Sequence, residues 1–115
     1  MPNWCYNNVI ISKVSEEKRK EIINSALSGR LLNFLVPEPQ DNTNTWYQWR
    51  ISNWGTKWEA EIHSIYEEGE DLMITFETPW NPPLEALARG AEEHKFHFDI
   101  TYEEEGCGLS GYRSN

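Results

Sequence analysis

The chain has 115 residues, enough for one hydrophobic core and too few for a second, so a single domain over residues 1–115 is expected. Its 38% hydrophobic content, with six Trp, five Tyr and four Phe, is too aromatic for a disordered chain, and no apolar run approaches the ~20 residues that cross a bilayer. Nineteen acidic residues against ten basic ones leave a net charge of −9, a field that repels phosphate backbones and disfavours direct nucleic-acid binding.

The opening stretch Tyr6-Asn7-Asn8-Val9-Ile10-Ile11-Ser12 is short and β-rich and reads as the first strand. Ser15 is placed to cap a helix over about residues 16–28, with Glu16 and Glu17 in its first turn. Ile22, Ile23, Ala26 and Leu27 form one face of that helix and Gly29 ends it. Between about residues 30 and 57 no clean period survives. This long Trp-rich connection either has a function or carries short structure of its own.

Alternation returns with Trp58, Ala60 and Ile62 against Glu59, Glu61 and His63. After a charged turn it continues with Leu72, Ile74 and Phe76 against Met73, Thr75 and Glu77, completing a hairpin. Asn81 followed by Pro82 reads as N-cap and first helical position, and Leu84, Leu87, Ala88 and Ala91 follow a helical stripe weakened at Gly90. Phe96, Phe98, Ile100 and Tyr102 then alternate with His97, Asp99, Thr101 and Glu103 as a fourth strand, before a glycine-rich tail.

The order βαββαβ predicts an α+β, ferredoxin-like sandwich. Its four-stranded antiparallel sheet has the order 4-1-3-2 and two helices on one face. The uncovered face then holds Glu59, Glu61, His63, Met73, Thr75, Glu77, His97, Asp99, Thr101 and Glu103. RNA-binding modules of this topology stack bases on aromatics there, whereas these positions hold carboxylates. Glu59, Glu61, Glu77, Asp99 and Glu103 are therefore candidates for docking on a basic protein surface.

His63 and His97 fall on opposite edge strands, about 14 Å apart, too far to share one ion. His94 lies near the end of the second helix, where it can meet terminal carbonyls. With no zinc, nucleophile-elbow or Cys–His pattern, neither a metal, a cofactor nor a catalytic residue is expected. Cys5 and Cys107 lie near the ends of adjacent strands and can be neighbours, but two thiols are too few for a disulfide framework, and a cytosolic chain keeps them reduced.

Residues 46–58 gather four Trp and one Tyr beside Arg50 and Lys57. Trp58 shares the phase of Ala60 and Ile62, so Trp54 and Trp58 are expected to be structural and Trp58 largely buried. Trp46 and Trp49 are freer to anchor a partner, or to stack on a nucleotide base while Arg50 and Lys57 meet its phosphates. The outer edge that begins at Trp58 carries charges that discourage edge pairing without forbidding a homodimer.

Four ordered segments carry a resemblance: Met1-Pro2-Asn3-Trp4-Cys5, Asn53-Trp54-Gly55-Thr56-Lys57-Trp58, Thr78-Pro79-Trp80-Asn81-Pro82-Pro83 and Glu105-Gly106-Cys107-Gly108-Leu109-Ser110-Gly111-Tyr112. Together they resemble the YubB-like ferredoxin-domain proteins of phages and plasmids, which include phage-encoded Api-type proteins. The resemblance implies a ferredoxin-like fold and a mobile-element origin, and it brings no catalytic residues. Many relatives run further past the position of Tyr112, so no C-terminal extension with its own function is expected. With the acidic surface it implies a non-enzymatic cytoplasmic protein that engages a host protein, inhibiting a defence or nucleic-acid-handling system. The alternative is a protein that binds or sequesters a nucleotide through the Trp-rich loop.

Overall fold

A computed structural model describes residues 3–41, 45–106 and 108–115. Met1 and Pro2, residues 42–44 of the connection, and Cys107 with its spacing from Cys5 lie outside the described residues. Five strands, β1 (Trp4–Ser12), β2 (Glu61–Glu68), β3 (Asp71–Pro79), β4 (His97–Glu104) and β5 (Leu109–Ser114), form one sheet in the order β2-β3-β1-β4-β5. Every neighbouring pair is antiparallel. Four helices accompany it: α1 (Glu16–Leu27), α2 (Leu31–Leu35), α3 (Trp46–Asn53) and α4 (Leu84–His94).

The expected order of the first four strands is present, and the sheet gains a fifth. The glycine-rich segment read as a tail is a hairpin: Glu104 pairs with Leu109, and five further pairs run to Asp99 opposite Ser114. Gly111 hid this strand, since glycine weakens strands in general. Here it makes room for a neighbour, because a Cβ at 111 would overlap the Tyr102 phenol. Strand β4 is consequently interior, not the edge on which His97 was expected.

Two helices missing from the sequence reading lie in the Trp-rich connection. At five and eight residues, α2 and α3 are too short to display a period. Helix α2 is held by tertiary contacts, burying Leu31, Leu32 and Leu35. The longer helices follow their patterns with shifts. Ser15 caps α1 by accepting from the Lys18 N–H at 3.1 Å, but Leu27 is exposed and Arg19 is buried beside Glu67 at 3.0 Å. In α4 the buried stripe is Ala86, Leu87, Gly90 and Ala91, with Ala88 exposed. Asn81 is not its cap; the helix starts at Leu84, and the Asn81 carbonyl accepts from the Thr78 hydroxyl at 2.7 Å.

The core lies between the sheet and α1, α2 and α4. Val9 and Ile11 of β1, Leu72, Ile74 and Phe76 of β3, and Phe98 and Ile100 of β4 meet Ile22, Leu32, Leu35 and Leu87. Trp54 joins them at 1% exposure, its indole N–H donating to the Val36 carbonyl at 2.9 Å.

Trp58 does not join them. It is 39% exposed, because β2 begins only at Glu61 and the bent segment before it carries no strand alternation. Its ring instead meets Trp4 at 6.2 Å, with the Lys57 ammonium 4.4 Å above it. Gly55, at φ +90°, makes the turn that separates the buried Trp54 from the exposed Trp58.

Candidate functional site

Because α1, α2 and α4 cover the inner face, side chains of opposite phase form an open outer face. The strand register arranges them in rows. One row runs Glu61, Glu77, Tyr6, Glu103, Ser110; the next Ser64, Thr75, Asn8, Thr101, Tyr112; the third Tyr66, Met73, Ile10, Asp99, Ser114. Columns are spaced about 4.8 Å apart and rows roughly 6.7 Å. None of these fifteen positions holds Lys or Arg. Tyr6, Tyr66 and Tyr112 stand out from the face at 50%, 52% and 63% exposure. Between the rings lie two shallow hollows: one of about 410 Å³ beside Tyr6, Asn8, Thr101 and Glu103, the other of about 210 Å³ between Tyr66, Ile10, Met73 and Tyr112.

Four of the five expected acidic residues share this face. Glu61 and Glu103 project into solvent. Glu77 is paired with His63 at 3.0 Å, and Asp99 accepts from the Tyr112 hydroxyl at 2.6 Å and lies 3.3 Å from the His97 Nε2. Glu59 is the exception. Lying before the strand, it turns to the helical side, where its carboxylate accepts from the backbone N–H groups of Leu32 at 2.9 Å and Asn33 at 2.7 Å. Burial raises its pKa above the ordinary carboxylate value, against the opposing pull of those N–H groups and of Arg50. It closes the start of α2 and is not on the docking face.

The aromatic candidates also separate. Trp46 is exposed on α3, while Trp49 is half-buried against Trp54, ring centroids 5.8 Å apart. The Arg50 guanidinium makes a two-pronged bond to Glu38 at 2.9 and 2.8 Å, donates to the Lys57 carbonyl at 3.1 Å, and stacks near Trp54 at 4.9 Å and Trp46 at 5.3 Å. With Lys57 seated over Trp58, both cations are engaged in fixing the segment.

His94 is likewise engaged. It stacks on Phe34 at 4.7 Å, with Nδ1 3.2 Å from the Lys18 ammonium and Nε2 3.3 Å from the Phe34 carbonyl. Its contacts are thus to α1 and α2, not to the end of its own helix. Among the described residues, no three His, Cys, Asp or Glu side chains gather as metal ligands. Cys5 is buried, and burial, helped by the negative charge of Glu104, pushes its thiol pKa up to about 11, so little thiolate exists at neutral pH.

The three tyrosines are what the sequence reading missed. The alternation of Tyr6, Asn8 and Ile10 against Cys5, Asn7, Val9 and Ile11 was available to place Tyr6 outward. Tyr66 was hidden by a bulge at His63, where the register slips by one residue and reverses the phase that follows. Tyr112 lay in the segment read as a tail.

Residues 53–114 match the family described as "Ferredoxin-like domain in Api92-like protein". Among solved structures the chain is similar to the crystal structure of a protein api92 from Yersinia pseudotuberculosis, with 19% identity and a TM-score of 0.52 over 64% of this chain. The chain covers 27% of that protein's length, and at this identity the likeness is one of fold. No curated protein matches it. Among the described residues no helix is long and apolar enough to cross a membrane.

Proposed function

The chain belongs to the family of ferredoxin-like domains of Api92-like proteins, and from that premise we propose that it is a non-enzymatic binding domain whose acidic sheet face docks on the basic surface of a host protein. The observation that carries this reading is the row Glu61, Glu77, Tyr6, Glu103, in which one exposed ring is flanked on the neighbouring strands by carboxylates. A phosphate-bearing ligand would be repelled there, whereas an Arg or Lys side chain gains both a carboxylate and a ring face. The −9 field steers a basic partner toward the molecule, and Tyr6, Tyr66 and Tyr112 supply rigid contact area. A phage- or plasmid-encoded protein of this kind, acting in the host cytoplasm, would inhibit a defence or nucleic-acid-handling protein by covering the basic surface with which it meets nucleic acid.

The test is capture from host lysate with wild type and with the Glu61→Lys/Glu103→Lys variant. The reading expects wild type to retain a protein with a basic surface, capture to weaken as salt rises, and the variant to lose it. Recovery of abundant chaperones alone, or equal capture by both proteins, would overturn it.

A further inference from the structure

The outer face does not account for the two edges of the sheet, which are unlike. Strand β2 carries Glu61, Glu67 and Glu68 and is interrupted by the bulge at His63, devices that discourage another strand from pairing with it. Strand β5 has none of them. Its sequence Leu109-Ser110-Gly111-Tyr112-Arg113-Ser114 contains no carboxylate and no proline, and all six residues pair with β4 in unbroken register. Leu109 and Tyr112 are both large, apolar and exposed. An exposed, regular edge of this kind, free of carboxylates, is a template for strand addition.

We propose that this edge is occupied by a second copy of the chain, β5 pairing antiparallel with β5 about a two-fold axis perpendicular to the sheet, so that two five-stranded sheets become one. Charge identifies the occupant. Two molecules of net charge −9 repel wherever carboxylates face each other, and the β5 strip, with Arg113 as its one charge, is where they approach at least cost. The two-fold axis keeps outer positions opposite outer positions. The register that places Tyr112 opposite its own counterpart sets Ser110 opposite Ser114 of the second copy and Arg113 opposite Gly111. That register sets no like charges against each other and leaves each Tyr112 hydroxyl on the Asp99 of its own copy. The two outer faces then form one surface.

The test uses the full chain, its mass followed by light scattering from about 1 µM to about 1 mM while amide exchange is read along the backbone. The expected result is a shift from monomer to dimer with concentration, with new protection in β5 and none in β2. Ser110→Lys/Ser114→Lys sets lysines opposite lysines across the axis, and Ser110→Glu/Ser114→Glu does the same with carboxylates. Each variant alone should dimerise about tenfold more weakly or worse, and an equimolar mixture should recover the dimer, a rescue that a misfolded variant would not give. Added salt should strengthen wild-type pairing by screening the −9 charges, the opposite of its effect on a basic partner. A wild type monomeric at every concentration overturns the proposal. So does a dimer indifferent to both variants, or one whose protection appears in β2.

Discussion

Glu59 carries its carboxylate into the gap between the start of β2 and the first turn of α2, where both oxygens accept backbone N–H groups. Burial holds its pKa above the 4.5 of a free side chain, so the folded chain binds this proton more tightly than the unfolded one. The stability contributed by this proton is full below pH 4.5 and is lost as pH rises through the folded pKa. Glu59→Gln turns one acceptor into a donor facing a backbone N–H and should cost about 1–3 kcal/mol. Paired melts across that pH range should show the gap between wild type and variant narrowing as pH rises. The tryptophans give a second residue-scale outcome. Trp54→Ala empties a fully buried site and removes the bond to Val36, at a cost of about 3–5 kcal/mol, whereas Trp58→Ala, half open to solvent, should cost about 1 kcal/mol. Urea midpoints that reverse this order would show that the exposed ring, not the buried one, holds the segment.

At the scale of elements, α4 and α2 meet through Gly90. A Cβ there would sit 2.7 Å from the Leu35 Cδ2 and 2.9 Å from its Cβ, so the helices approach as closely as they do because that position has no side chain. Gly90→Ala improves helix propensity by about 1 kcal/mol, while overpacking costs roughly 1–3 kcal/mol, so the substitution should destabilise. Adding Leu35→Ala relieves the overlap, and the double variant should be more stable than the sum of the two single changes predicts, which denaturation of all four proteins measures. Segments that carry the family resemblance are also elements of assembly. The Thr56 hydroxyl donates to the Pro79 carbonyl at 3.0 Å, the Ala86 N–H to the Trp54 carbonyl at 3.2 Å and the Trp80 N–H to the Asn3 carbonyl at 2.7 Å. Residues 53–58 and 78–83 and the first strand are thereby clasped at one end of the sheet, with Asn7 buried and bonded to Thr78 at 3.0 Å.

Across the whole molecule the charge is uneven and surplus. Glu61 stands directly opposite Glu77 in the ladder, a like-charge pair relieved on one side by His63. Such pairs lower stability by a few tenths of a kcal/mol each. Melting temperature should therefore rise as NaCl is taken from about 0.05 to 0.5 M. Glu61→Gln/Glu103→Gln should raise it further while slowing association with a basic partner. If calorimetry shows the neutralised protein less stable than wild type, the face carboxylates support the fold and are not reserved for a partner.

The sequence by itself determined the parts governed by local periodicity: the first four strands and their order, the two long helices, and the acidic character of the face built from Glu61, Glu77, Asp99 and Glu103. Alternation and the helical stripe follow from backbone geometry, so they are legible without a partner element. What only the tertiary structure decided are the features set by contact with another element. Helix α2 exists because Leu31, Leu32 and Leu35 are buried against other elements and Glu59, 27 residues away from Leu32, closes its first turn. Strand β5 exists because Tyr102 lies over Gly111 and β4 supplies its ladder. Tyr66 faces outward because one extra residue at His63 reverses the phase, and no count along β2 alone can show which residue the neighbouring strand skips. Tyr66 and Tyr112 on the candidate face, and the β5 edge beside them, thus follow from how each strand pairs with its hairpin partner, whereas Tyr6 was already placed by its own alternation.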